Sequence, residues 1–305
     1  LPEAAAKALG KIGDLWAVEP LIQLLTTSYS SEEGASEALV KFGKVAIDPL
    51  VKVLKHKTQR SVADVLDKLG WKPDAESFVP YLIAKEDWEG CVNLGEPAVS
   101  PLIKILEADD WWSPSVAETL GKIGDLRAVE PLIIAIEGDD ESIPSYQKRG
   151  RLVAAVRALG AIGDLRAVNL LIKTFGHIDK DVKLASAYSL GKMGDEKTIE
   201  MLVQELIDNS SEYVAKALEI LKWEPETDEH KALFLVAKRD RKGCLDMGKP
   251  VVEPLINTLT RQWEILQSKG FWRGDDEDIR LYAVKVLGEI GDTRAIEPLI
   301  LTLGD

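Results

Sequence analysis

Three histidines, two cysteines and several short acidic runs are the residues that could do chemistry in this chain of 305 residues. His56, His177 and His230 stand far apart, with no H-E-x-x-H helix and no cysteine cluster at zinc spacing beside them. They read as isolated surface histidines. Cys91 and Cys244 occupy equivalent places in two related segments, so they are expected to fill matching core sites and not to pair. That reading favours a reducing compartment, and hence a cytoplasmic protein. The acidic runs at 107–110, 139–141 and 275–278 lack the alternating ligands and central glycine of a calcium loop. Each stands where a helix is about to begin, so capping and solvation account for them. With no G-x-S-x-G elbow and no phosphate-binding glycine loop either, the residues predict no catalytic centre, no cofactor and no metal.

Composition narrows the partners. The formal net charge of -13 works against a polyanion, since nucleic-acid affinity rests largely on Lys and Arg neutralising phosphates, so no nucleic acid is expected. No apolar run approaches the roughly 18 residues that cross a bilayer, and the N-terminus has neither the basic start nor the apolar stretch of a signal peptide. No membrane partner is expected. Because the chain does not begin with Met, it is read as a fragment or a processed form.

The elements follow from self-similarity. LGKIGDLRAVEPLI, 120 to 133, is nearly a copy of LGKIGDLWAVEPLI, 9 to 22, and weaker copies begin at Leu159, Leu190 and Leu287. Taking the glycine of each copy as a marker, joints fall at Gly13, Gly43, Gly70, Gly95, Gly124, Gly163, Gly194, near Lys222, Gly248 and Gly291. Most intervals run from about 25 to about 31 residues, the length of two helices and two short turns. Within a unit the apolar and small residues recur at three- and four-residue steps, as in Val182, Ala185, Ser186, Ser189, Leu190 and Met193. No segment alternates as a strand does. The pattern predicts an all-α fold, a right-handed α-solenoid of about ten two-helix repeats.

The joint has a physical reading. Gly13, Gly124, Gly163, Gly194 and Gly291 suit the left-handed residue that ends a helix, and the Asp after each can cap the amides that start the next. Pro20, Pro131 and Pro298 are expected to bend the second helix by removing one backbone bond. A longer duplication overlies the short one: AKEDWEGCVNLGEPAVSPLIKIL, from Ala84, and AKRDRKGCLDMGKPVVEPLINTL, from Ala237, each follow a Trp-x-Pro turn at Trp71 and Trp223. The chain is therefore expected to be one continuous array over 1–305, with duplicated blocks around 61–136 and 214–303. Insertions at 137–151 and 260–278 are expected as long connections between the helices of a repeat, on one common edge.

IRLYAVKVLGEIGDTRAIEPLI, 279 to 300, and AAAKALGKIGDLWAVEPLI, 4 to 22, resemble the HEAT-repeat superfamily, in particular the phycobilisome-lyase-type HEAT-like repeats. The resemblance covers essentially the whole chain. It implies that helices ending in Gly-Asp line a concave surface and the Pro-Leu-Ile helices a convex one. Each end is then expected to expose a stacking face, which predicts missing repeats or end-to-end contacts. Such repeats serve in pigment-attachment lyases, assembly factors and binding scaffolds. Deoxyhypusine hydroxylase, a HEAT-like enzyme, holds iron with several His-Glu pairs, and this sequence contains none.

Function is then sought where the copies disagree. Two rows can be counted back from the joints. Nearest the helix end stand Lys11, Lys41, Lys68, Lys122, Ala161, Lys192, Ile220 and Glu289; four residues earlier stand Lys7, Glu37, Asp64, Glu118, Arg157, Tyr188, Lys216 and Lys285. Glu37 with Lys41, Asp64 with Lys68 and Glu118 with Lys122 are expected to pair along their own helices. In the second half the acidic partners disappear, and Arg157, Tyr188, Lys192, Lys216, Tyr282 and Lys285 make a basic and aromatic strip suited to an acidic peptide or protein. Trp71, Trp223 and Trp112 are expected to pack inside. Trp16 and Trp88, which align with Arg or Lys in sister repeats, are expected outside, and Trp263 and Trp272 of the insertion join the candidate binding residues. The expected function is a non-catalytic protein-binding scaffold; the alternative is a bilin lyase-like or chromophore-handling subunit.

Overall fold

The structure is a computed structural model, and it describes the chain except residues 109–113, 139–144, 178, 210, 270–273 and 305. The side chains of residues 29, 108, 145–148, 209, 261–269, 274–278 and 304 also lie outside the description. Among the described residues every regular element is helical, and the fold is an all-α solenoid of ten helix pairs. The chain forms two compact units, Leu1–Pro131 and Leu132–Asp305. In the first, α1 (Pro2–Ile12) is followed by α2 (Val18–Thr27), α3 (Glu32–Phe42) by α4 (Ile47–Lys57), α5 (Arg60–Lys68) by α6 (Phe78–Ala84), and α7 (Trp88–Leu94) by α8 (Glu96–Ala108). The fifth pair is α9 (Pro114–Ile123) and α10 (Val129–Glu137). In the second unit the pairs are α11 (Ser145–Ile162) and α12 (Val168–Lys173), α13 (Lys180–Met193) and α14 (Glu196–Asn209), and α15 (Glu212–Ile220) and α16 (Asp228–Ala237). They continue with α17 (Arg241–Met247) and α18 (Val252–Lys269), then α19 (Gly274–Ile290) and α20 (Ile296–Leu301).

The joint works as a stop and a start. Gly13 sits at φ 77° and ψ 13°, its amide donating to Leu9 O at 3.0 Å, and so ends α1 where a Cβ would be penalised. Asp14 Oδ1 then accepts from the Trp16 amide at 3.0 Å. The structure refines the expected cap here. Asp14, Asp125, Asp164 and Asp292 cap a single 3-10 turn, and the α-helix begins only after it. Pro20 therefore lands at the third residue of α2, among first-turn amides with no acceptor inside the helix, and costs it no bond. Pro131 and Pro298 hold the same third position in their helices.

Three joints differ. Gly43, Gly95 and Gly248 pair a positive φ with ψ near -136°, -128° and -125°, a region essentially closed to other residues, and no Asp follows them. In the eighth repeat Lys222 takes the left-handed position at φ 55° where Gly70 stands in the third.

Inside a unit first helices pack against one another: α1 on α3, α11 on α13, α13 on α15. Small residues make the close approach possible. A Cβ on Gly10 would meet the Ala38 backbone at 2.8 Å, one on Gly191 would meet Ile220 at 2.7 Å, and one on Gly160 would collide with Ser189. The buried stripe of α13 is accordingly wider than its spacing suggests, adding Lys183, Ala187 and Gly191, because the helix is covered on two sides. Ser189 Oγ also donates to Val156 O at 3.0 Å across the same interface.

The two insertions resolve differently from expectation. Residues 145–151 belong to α11, 260–269 continue α18 and 274–278 open α19. No Gly or Pro interrupts Leu255–Lys269, so nothing in the sequence stops the helix. Trp71 and Trp223 pack as expected, edge-on against Tyr81 at 6.0 Å and against Phe234 at 5.5 Å. Trp112 lies outside the described residues, as do the side chains of two acidic runs.

Candidate functional site

Each residue of the outer row sits six positions before its joint, on the exposed edge of a first helix. Its sequence neighbours face inward: Val156 and Ala158 flank Arg157, and Ala187 and Ser189 flank Tyr188, all of them buried. Because α11, α13 and α15 lie side by side, Arg157, Tyr188 and Lys216 follow one another across three helices, with Lys192 one turn further along α13. Arg157, Tyr188 and Lys192 are exposed, and among the described residues neither cation has an ion-pair partner. Lys216 is half-buried and lies 3.5 Å from Glu219, which it shares with Lys238 at 2.7 Å.

The same offset counted from Gly248 identifies a residue the sequence reading passed over. Lys242 is exposed on α17, which packs against α19 and so neighbours Lys285. With it, the second unit carries Arg157, Tyr188, Lys216, Lys242 and Lys285 at one register. The first unit carries Lys7, Glu37, Asp64, Glu89 and Glu118 at that register. The row changes sign between the units.

Among the described residues the expected pairs Glu37–Lys41, Asp64–Lys68 and Glu118–Lys122 do not form; Lys7 reaches Glu3 of its own helix at 3.0 Å, and other pairs run between helices. Glu37 lies 3.6 Å from Lys7 of the preceding repeat, and Lys68 Nζ donates to Ser36 Oγ at 3.0 Å. Asp64 pairs with Lys85 at 2.6 Å, and Lys85 also reaches Asp67 at 2.9 Å; hydrogen bonds to these two carboxylates push its ammonium up to about 12.

Tyr282 does not belong to the strip. It is half-buried against the core of the second unit, and its hydroxyl lies 3.3 Å from Cys244 Sγ. Burial and that contact push the phenol up. Trp272 lies outside the described residues; Trp263 falls on α18, and its side chain is likewise outside them. Trp16 is exposed as expected, whereas Trp88 is half-buried. Cys91 and Cys244 are both buried free thiols, as expected. Burial pushes Cys91 up to about 11 and raises Cys244, so both are held as neutral thiols and serve packing.

No group of three or more His, Cys, Asp or Glu among the described residues could hold a metal ion, and no described helix is long and apolar enough to cross a membrane. A groove of about 490 Å³ in the first unit runs between α2 and α4, lined by Glu19, Gln23, Pro49, Lys52 and His56. Comparison with known proteins bears on the repeats. HEAT repeats match residues 150–222, and PBS lyase HEAT-like repeats match residues 1–27, 115–138 and 279–305. No curated protein matches. Among solved structures, an engineered protein is similar over 98% of this chain and 87% of its own, at 18% identity and a TM-score of 0.35.

Proposed function

As a HEAT-repeat protein whose repeats are of the PBS lyase HEAT-like type, this chain displays side chains on stacked helices, and we propose that it is a non-catalytic scaffold binding an acidic protein or peptide. The observation that carries this reading is the run Arg157, Tyr188 and Lys192 on adjacent helices, exposed and, among the described residues, without internal ion pairs in a chain of net charge -13. Internal pairing offsets much of the charge of Lys7, Asp64 and Lys85. Arg157 and Lys192 keep theirs for a partner. Opposite charge steers an acidic segment to the strip, and Tyr188 adds a rigid aromatic surface that loses little side-chain freedom on contact.

Affinity capture with the wild-type chain and with the Arg157→Glu, Lys285→Glu double variant tests the reading. A captured partner is expected to contact the strip through an acidic segment and to bind the variant at least roughly tenfold more weakly. Equal binding by the two proteins would remove the strip from the interface. Retention of an added bilin, seen by its absorbance, together with no captured protein would favour chromophore handling instead.

A further inference from the structure

Along the row of the second unit the helix spacing sets a length. Arg157, Tyr188 and Lys216 each stand six residues before their joints, one on each of α11, α13 and α15, which pack side by side. Packed helices lie about 8–10 Å apart, and small residues at the contact hold a pair toward the shorter end of that range. Here Gly160 lies against Ser189, and a Cβ on Gly191 would stand 2.7 Å from Ile220. The row therefore advances by about 8–9 Å per helix, which puts Lys216 about 16–18 Å from Arg157. Apolar surface flanks it. Val153 and Leu184, one turn before Arg157 and Tyr188, are half-buried, and Ala161, one turn after Arg157, is exposed. Lys216 has Glu219 at 3.5 Å, but that carboxylate is closed at 2.7 Å on Lys238.

Regular backbones differ in whether they keep step with that row. A polyproline II segment has three residues per turn and rises about 3.1 Å per residue, so residues i, i+3 and i+6 share one face and span about 19 Å. A β-strand repeats a face every second residue, about 6.6–6.8 Å, and falls short of each step. An α-helix returns a side chain to one face at i+7, a step of about 10.5 Å, and overshoots to about 21 Å over two steps. Resting on the scaffold reading above, we propose that the strip takes an extended, proline-rich acidic segment running across α11, α13 and α15. A carboxylate at i meets the Arg157 guanidinium, whose fork can hold both oxygens. A proline at i+3 lies against the Tyr188 ring, and a carboxylate at i+6 meets Lys216. The intervening residues rest on Val153, Leu184 and Ala161, which favour uncharged spacers. The backbone of such a segment is already extended, so ordering it costs little.

Two capped, glycine-flanked peptides of one composition test the register. In one, two glutamates stand six residues apart with prolines between them; in the other, the same glutamates are adjacent. Fluorescence anisotropy of the labelled peptides is expected to show the spaced peptide binding the full chain at least roughly fivefold tighter. Arg157→Glu and Tyr188→Ala are each expected to remove that advantage while leaving the circular dichroism unchanged, since both positions are exposed. Equal binding of the two peptides, lost in Arg157→Glu, overturns the register and leaves the acidic-partner reading standing. Tighter binding of an alanine-based helical peptide with glutamates seven residues apart overturns it in favour of a helix. Failure of the spaced peptide to bind overturns it too, while the capture experiment tests the broader reading separately. Equal binding of the spaced peptide to the wild type and to Arg157→Glu overturns both.

Discussion

At the Gly-Asp joints one carboxylate does two jobs. Asp125 and Asp292 accept from the side chains of Arg127 and Arg294 and cap the amides of the same residues, and together these bonds hold both carboxyls at about 2. A carboxyl depressed below its unfolded value of about 3.9 contributes stability at neutral pH that is lost as pH falls from about 4 through about 2. Both carboxyls are part-buried but pair with exposed arginines that water screens, so the contribution is small. Asp292→Asn is expected to lower the urea midpoint slightly at pH 7 and to leave it unchanged below pH 2; an equal loss at both values would show that the carboxylate charge is immaterial. Lys222 offers the converse case. It adopts φ 55° where Gly70 adopts φ 70°, and Lys222→Gly is expected to stabilise the protein by about 1 kcal/mol in thermal or denaturant unfolding, because the left-handed conformation penalises a Cβ.

At the scale of helices, the two glycines of the LGKIGD-type motif have separate tasks. The second ends the helix, and its role is legible in the sequence from the Asp that follows and the periodicity that stops there. The first is a contact. Nothing in its neighbours along the chain reveals that Ser189 lies against Gly160, because the partner is a residue of the next repeat. Gly160→Ala is expected to cost about 1–3 kcal/mol through overpacking. Gly288→Ala, with open space around it, is expected to stabilise the single chain by up to about 1 kcal/mol through helix propensity. Thermal unfolding of the two variants at low concentration checks both, and a similar response from both would remove the contact role. The same blindness to neighbouring helices explains the mistaken charge pairs: Glu37 and Lys41 are one turn apart, yet Lys7 of the adjacent helix takes Glu37. The insertions were misplaced for a different reason. Loss of similarity to sister repeats at 260–269 marked a change of sequence, not of conformation.

For the molecule as a whole, the sequence made the number and order of helix pairs readable, since ten joints give ten pairs. The candidate strip was only partly readable. Arg157, Tyr188, Lys192 and Lys216 occupy adjacent helices as counted, but Tyr282, nine residues before its joint, stands at the register of Ala185 on the apolar stripe and turns inward to Cys244. Lys242 was missed because the row was not counted back from the Gly95 and Gly248 joints. If the strip binds by charge, a partner's affinity should fall with added salt in the wild type and respond less in the Arg157→Glu, Lys285→Glu variant; equal salt slopes would argue against an electrostatic contact. The close glycine contacts have a mechanical consequence as well. Within each unit they join one helix pair to the next, so a pull along the chain loads these interfaces one after another. Stretched in a single-molecule trap, the protein is expected to lengthen in a train of small steps, each releasing a helix pair of about 30 residues. It would act as an extensible tether that re-coils when the load is removed.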